Sequence, residues 1–414
     1  MFDSFFPRPK VFFFSAFLWF LLALAIWHLG AQDLAEKLAL FGKDLPELPE
    51  GERAPFLTAE KSWVYQFIIG TSFLFCVVWV FLGRNRWFTW SVVGSTFILV
   101  FTYFMVQISV WLNTWFGDFY DMIQVALDPS TETGTVTFED FYGKIATVLS
   151  ILIVTILARV VFSFFVSHYV FRWRTAMNEY YMSHWGKLRT IEGAAQRVQE
   201  DTMRFAGIME GLGAAFVSSI MTLIAFLPIL WTLSEQVTEL PLIGPVVGSL
   251  VYVAIFSALF GTVLLMIVGI KLPGLEFRNQ KVEAAYRKEL VYGEDRVDRA
   301  APPTVTELYE HVRRNYFKYY FNYLYFNVFR YAYLQGAIFI PLVALGPTII
   351  AGAITFGVFQ QIRNAFSQVE NSFQFLVNSW TTIVELMSIY KRLHSFESVI
   401  HGGTVDESRV QVLD

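Results

Sequence analysis

The feature that most constrains this chain is a series of eight apolar stretches, each long enough for a helix to cross a bilayer. About 20 apolar residues span the hydrocarbon core at 1.5 Å per residue. Stretches of that length lie at Val11–Gly30, Val64–Gly83, Trp90–Leu112, Phe141–Val166, Phe205–Leu233, Pro245–Ile270, Phe321–Leu345 and Thr348–Gln368. A span in lipid must satisfy its own backbone polar groups, so the expected fold class is an all-α membrane protein. Composition agrees: 55% of the 414 residues are hydrophobic and only 16% are charged, against about 25% charged in soluble domains. That balance excludes a disordered chain and a soluble enzyme. The net charge of −4 gives nucleic acid nothing to bind. The single cysteine, Cys76, excludes an internal disulfide framework. The six histidines are scattered, so no metal, cofactor or catalytic set is expected. No Ala-x-Ala site follows the first apolar run, which is therefore expected to be a retained helix.

An even number of spans puts both termini on one side, and basic residues say which. With a cytoplasmic N-terminus, 23 of the 31 lysines and arginines fall on inner segments and five on outer loops. Arg159, Arg330 and Arg363 lie in or beside spans. The outer loops carry fifteen acids. Depletion of positive charge explains that anionic face well enough; attraction of cationic solutes is the sharper alternative.

Two inner segments, 171–206 and 271–320, are far longer than turns need to be. Trp173, Met177, Tyr180, His184, Leu188 and Ile191 recur at helical spacing, and Phe277, Val282, Ala285 and Leu290 form a second stripe. Ala301-Pro302-Pro303 must end the second helix. The expected organisation is two N-terminal spans with an outer loop (residues 1–88, loop 31–62), a six-span unit (89–397) and a C-terminal tail (398–414). Six spans with long inner extensions after the second and fourth are the layout of the membrane half of an ABC exporter. Arg172-Trp173-Arg174, Gln196 through Asp201, Glu283 through Leu290, and Glu385 through Glu397 resemble the coupling regions of peroxisomal-type half-transporters. No G-x-x-x-x-G-K-[ST] occurs in the sequence, so these residues hold no phosphate cradle for ATP.

Longer runs carry a closer resemblance: Phe5-Phe6-Pro7, Phe165 through Glu179, Ile191 through Arg204, Gly269 through Glu276, Val282 through Asp295, and Asn378 through Arg392. The chain resembles the SbmA/BacA family of bacterial inner-membrane peptide importers over nearly its whole length. The resemblance implies a homodimer with an ABC-exporter-like membrane fold, eight transmembrane helices per subunit and no nucleotide-binding domain. It implies proton-driven import of antimicrobial and host-defence peptides, microcins and bleomycin-like glycopeptides, in contact with membrane lipids. The alternative is the membrane subunit of an ATP-driven peptide or very-long-chain fatty-acid transporter with a separate ATPase.

A proton-driven carrier needs carboxyls that take and release protons. The candidates are Glu192, Glu200, Glu210, Glu276, Glu283, Glu289 and Glu385. Glu276 and Glu283, two helical turns apart, share a face. Ordinary ion pairs compete with this role, since Arg189, Arg287, Lys288 and Arg296 are close in sequence and Glu283–Arg287 has the favourable i,i+4 order. Glu210 and Glu385 lie in apolar surroundings and are the stronger candidates. Glu370, Arg363 and Arg330 also lie in or near spans, where pairing with one another and a functional role are both open readings. Tyr286, Arg287, Tyr316, Tyr320, Tyr323 and Trp380 are candidate substrate contacts, through cation–π attraction for the aromatics. Interface anchoring is the plainer role for the tyrosine-rich stretch.

Overall fold

The computed structural model describes residues 1–42, 58–128, 130, 135–191, 194–241 and 243–400, the side chains at 35, 36, 59, 60, 273, 277, 280, 295, 376, 377 and 384 excepted. Glu192, most of the outer loop and residues 401–414 lie outside that description. The described residues form helices and no strands: α1 (Pro9–Leu34), α2 (Ala59–Leu82), α3 (Thr89–Leu127), α4 (Phe138–Ser183), α5 (Ala194–Ser234), α6 (Ser249–Gly269), α7 (Leu272–Asp295), α8 (Pro302–Ala337), α9 (Ile340–Ile350), α10 (Phe356–Phe373) and α11 (Trp380–Ile400). Local chemistry sets several ends. Thr137 and Asp140 close a reciprocal capping box on α4, Thr355 caps α10, and Pro302 opens α8 where its missing N–H costs nothing.

Among the described residues, seven stretches are long and apolar enough to cross a membrane: α1 to α5, α6 continued into α7 as far as Glu294, and α8 with α9. The eighth expected stretch is divided. Thr348–Ile350 close α9, the chain turns with Gly352 at φ 65°, and α10 begins only at Phe356. This helix carries Gln360, Gln361, Arg363 and Glu370, too much polarity to join the seven on apolarity. It is nevertheless the most enclosed helix, packed among α3, α5 and α6 with Val358, Ile362, Phe366 and Val369 buried. Its approach to α3 is close: a Cβ at Gly357 would collide with the Gly117 carbonyl.

The apolar interior falls into two cores. One, at the basic end of the bundle, gathers Phe5, Phe6, Trp173, Met177, Phe205, Leu393 and Phe396. Trp173 is its centre, stacked on Phe5 and edge-on to Phe205, with Nε1 donating to the Met1 carbonyl at 3.1 Å. The expected stripe packs here at Trp173, Met177, Tyr180, Leu188 and Ile191, with His184 half-buried against the Tyr180 ring, although α4 stops at Ser183 and only a single turn, Trp185–Leu188, follows. The second core, in the apolar body, joins Phe226 and Leu230 of α5, Leu250 and Ala254 of α6, Leu345 of α9, and Ile362 and Phe366 of α10.

Helices α7 and α8 make a long antiparallel hairpin at the basic end, turning at residues 296–301. The stripe expected on α7 is not its packing face, for Ala285 and Leu290 are exposed and the Phe277 side chain is outside the description. The buried or half-buried positions are Leu272, Leu275, Asn279, Val282, Tyr286, Glu289 and Gly293. Their alternating steps of three and four are a coiled-coil seam. It went unread because it runs through an asparagine, a tyrosine and a glutamate. Asn279 accepts from Asn315, and Tyr286 meets the ring of Tyr309.

Candidate functional site

A cavity of about 1130 Å³ opens at the basic end, between the first turns of α5, the α7–α8 hairpin and α11. Two wide π-type turns interrupt α5, at Arg197–Asp201 and Met209–Gly213. Such turns shift the side-chain register within one helix and recur at functional sites. The first delivers Arg197, Glu200 and Asp201 to the cavity wall; the second carries Glu210. Facing them from the hairpin are Glu276, Glu283, Arg287, Lys288 and Tyr316.

The carboxyls sort by partner. Asp201, 3% exposed, takes a bidentate grip from Arg392, with Nη2 donating to Oδ1 at 2.7 Å and Nε to Oδ2 at 3.0 Å. Glu200 pairs with Arg204 at 2.8 Å, and the same guanidinium reaches Glu385 at 3.7 Å. Glu289 faces the hairpin turn, held by Arg299 at 2.9 Å and the Ala300 N–H at 3.0 Å. These groups are fixed by cations. Glu276 and Glu283 take no arginine or lysine partner among the described residues and lie near the hydroxyls of Tyr319 and Tyr316. Glu210 accepts from Ser167 Oγ at 2.5 Å across to α4. The i,i+4 pair expected for Glu283 and Arg287 does not form, because Glu283 faces α8.

The structure thus brings Glu200, Glu276, Glu283, Arg287 and Tyr316 to one cavity. Glu385 joins only through Arg204, Glu289 serves the hairpin turn, and Glu210 stands apart on its own wide turn. The contact candidates divide as well. Tyr286 is committed to the seam, Tyr320 is exposed beside Tyr316, and Tyr323 and Trp380 line a second, smaller pocket.

Glu370 on α10 does not pair with Arg363 or Arg330. It is 7% exposed and accepts from Ser257 Oγ of α6 at 2.8 Å, and the single Tyr333 hydroxyl proton of α8 is shared between Glu370 at 3.2 Å and the Ser257 carbonyl at 3.0 Å. Gln374 Nε2 in turn donates to the Tyr333 oxygen at 2.6 Å. Arg363 is exposed on another face of α10. The signal that could have found this is spacing: Val358, Ile362, Phe366, Val369 and Glu370 fall on the buried side of one helix, and Arg363 does not. Asp201 was also missed, hidden beside Glu200. Among the described residues, no group of three or more potential metal ligands converges.

Apolar helices that continue past the body of the bundle to wall a charged cavity define a multi-pass membrane protein. Residues 84–401 match the model of the SbmA/BacA-like family, and the chain belongs to that family. It is similar to the inner membrane ABC transporter ATP-binding protein YddA of Escherichia coli, 24% identical over 355 residues, which covers 78% of this chain and 61% of that protein. It is also similar to ABC transporter D family member 2, chloroplastic, of Arabidopsis thaliana, 25% identical over 271 residues, covering 57% of this chain and 35% of that one. The chain spans less than two thirds of the length of these relatives.

Proposed function

We propose that this protein is a proton-motive-force-driven importer of antimicrobial and related peptides across the bacterial inner membrane. The observation that carries the reading is Glu370: a carboxyl enclosed by helices of the apolar body whose partners are hydroxyls rather than a cation. Ionisable groups at membrane depth are costly and mark ion and proton paths. Ser257 and Tyr333 can donate to the carboxylate, and the protonated form leaves no arginine stranded. Glu210, bonded to the Ser167 hydroxyl, and Glu276 and Glu283, near tyrosine hydroxyls, extend the same chemistry towards the cavity. A cationic peptide moving inward gains about 2.3 kcal/mol per charge per 100 mV, or roughly 9 kcal/mol for four charges. The protonation steps therefore need to gate the path more than to drive it.

The proposed subunit crosses the membrane eight times, with both termini in the cytoplasm. Met1 touches Glu397, so the two ends of the described chain meet at the basic end. Seven apolar crossings would separate them; α10 and its continuation supply the eighth. The exposed outer face of α7 and the open side of the cavity suit a second copy, giving a homodimer. In this reading the chain is no enzyme, and its partners are peptides, lipid and its own copy.

The relatives named as ATP-binding transporter proteins favour a second reading, in which an ATPase drives the cycle. The test is the purified chain in vesicles, with labelled cationic peptide and an imposed pH gradient but no nucleotide. Uptake that collapses with an uncoupler supports proton drive. No uptake until an ATPase and ATP are supplied would replace it with the second reading.

A further inference from the structure

The smaller pocket, about 300 Å³, lies between α6, α8 and the start of α11. Leu265, Met266, Ile270 and Phe326 make its walls apolar. Arg330 enters from α8, with Asn378 and Trp380 at the α11 side. Among the described residues Arg330 forms no hydrogen bond, ion pair or ring contact. A guanidinium in an apolar stretch with no protein acceptor needs an anion or water.

Depth decides which anion. Gly269 lies against Phe326 and Gly261 against Tyr333, so Arg330 sits level with Leu265 and Met266. Lys271, the first charge beyond α6, is five residues further on, about 7.5 Å along a helix. An arginine side chain covers that distance and delivers its charge to the headgroup layer. The surface beside the pocket is apolar and open, with Met266 59%, Ile267 66% and Ile270 73% exposed, so a chain can enter from the bilayer. Basic pockets between spans on the lysine- and arginine-rich side suit anionic headgroups.

We propose that this pocket binds an anionic phospholipid of the surrounding bilayer. Its phosphate pairs with Arg330, its polar head meets Asn378 and Trp380, and an acyl chain lies along Leu265, Met266 and Phe326. The lipid would tie the α6–α8 wall to the first turn of α11, the helix whose Arg392 grips Asp201. The inference is independent of what the protein carries.

The test is native mass spectrometry of the full chain from nanodiscs holding equal phosphatidylglycerol and phosphatidylcholine. Wild type is expected to retain phosphatidylglycerol at least fivefold over phosphatidylcholine. Arg330→Gln is expected to bring the ratio close to one, and Arg330→Lys to keep part of the preference. Met266→Trp fills the pocket with the charge intact and should abolish retention, so the proposal stays testable if Arg330→Gln does not fold. Equal retention by wild type would overturn it. So would a preference that survives in both Arg330→Gln and Met266→Trp, or binding of inorganic phosphate in place of lipid.

Discussion

At the basic end, Asp201 is 3% exposed and clasped by both arms of the Arg392 guanidinium; in the apolar body, Glu370 is 7% exposed and meets only Ser257 and Tyr333 hydroxyls. Burial is nearly the same and the consequence is opposite. A carboxylate that shares its site with a cation cannot gain a proton without leaving that cation buried and unpaired, so the pair acts as a clamp between α5 and α11. A carboxyl among neutral donors can hold or release a proton while its neighbours keep a workable set of hydrogen bonds. The same division runs through the smaller set: Glu200 at the cavity and Glu289 at the hairpin turn are paired with arginines, whereas Glu276 and Glu283 lie near tyrosines.

Substitutions test that division, and the largest effect is expected at the unpaired site. Glu370→Gln keeps shape and hydrogen bonding but removes the proton, and should lower gradient-driven peptide uptake by tenfold or more with little change in thermal stability. If uptake is unchanged, Glu370 is a structural polar contact and the contrast fails. Arg392→Gln should do the reverse. It strands a buried carboxylate, at a cost of about 3 kcal/mol, reduced because the Arg392 side chain is 32% exposed. The readout is denaturation in detergent. Arg392→Lys should restore only part, since one ammonium cannot make two parallel bonds. Tyr333→Phe removes one donor to Glu370 and should cost about 1 kcal/mol in the same assay. Least of all, Arg86→Ala breaks an ion pair with Glu179 whose side chains are 75% and 41% exposed, and should shift stability by less than about 0.5 kcal/mol. A large loss there would show that exposure is a poor guide to which charges matter.

Much of the fold was legible because lipid leaves few choices. Length and apolarity locate the seven long apolar stretches found among the described residues, Pro302-Pro303 marks the hairpin turn, and the stripe from Trp173 to Ile191 announces a packed core. The innermost helix was harder. α10 is shielded by protein on several sides, so it carries Gln360, Gln361 and Glu370, and an apolarity reading places its start eight residues early. The α7 seam escaped for a related reason: Asn279, Tyr286 and Glu289 are polar residues doing the packing. At the site, sequence supplied the right kind of residue but not its partner. Whether a glutamate meets an arginine or a hydroxyl is fixed by contacts across α5, α6, α7, α8, α10 and α11, and spacing along the chain alone pointed Glu283 to Arg287.

The most direct measurement of the central claim is proton movement during peptide entry. Vesicles holding the purified protein and an internal pH dye would receive a cationic peptide outside, without nucleotide. The account predicts internal acidification in step with peptide entry, lost in Glu370→Gln and kept in Glu289→Gln. Peptide entry with no accompanying proton, or proton entry undiminished in Glu370→Gln, would contradict it.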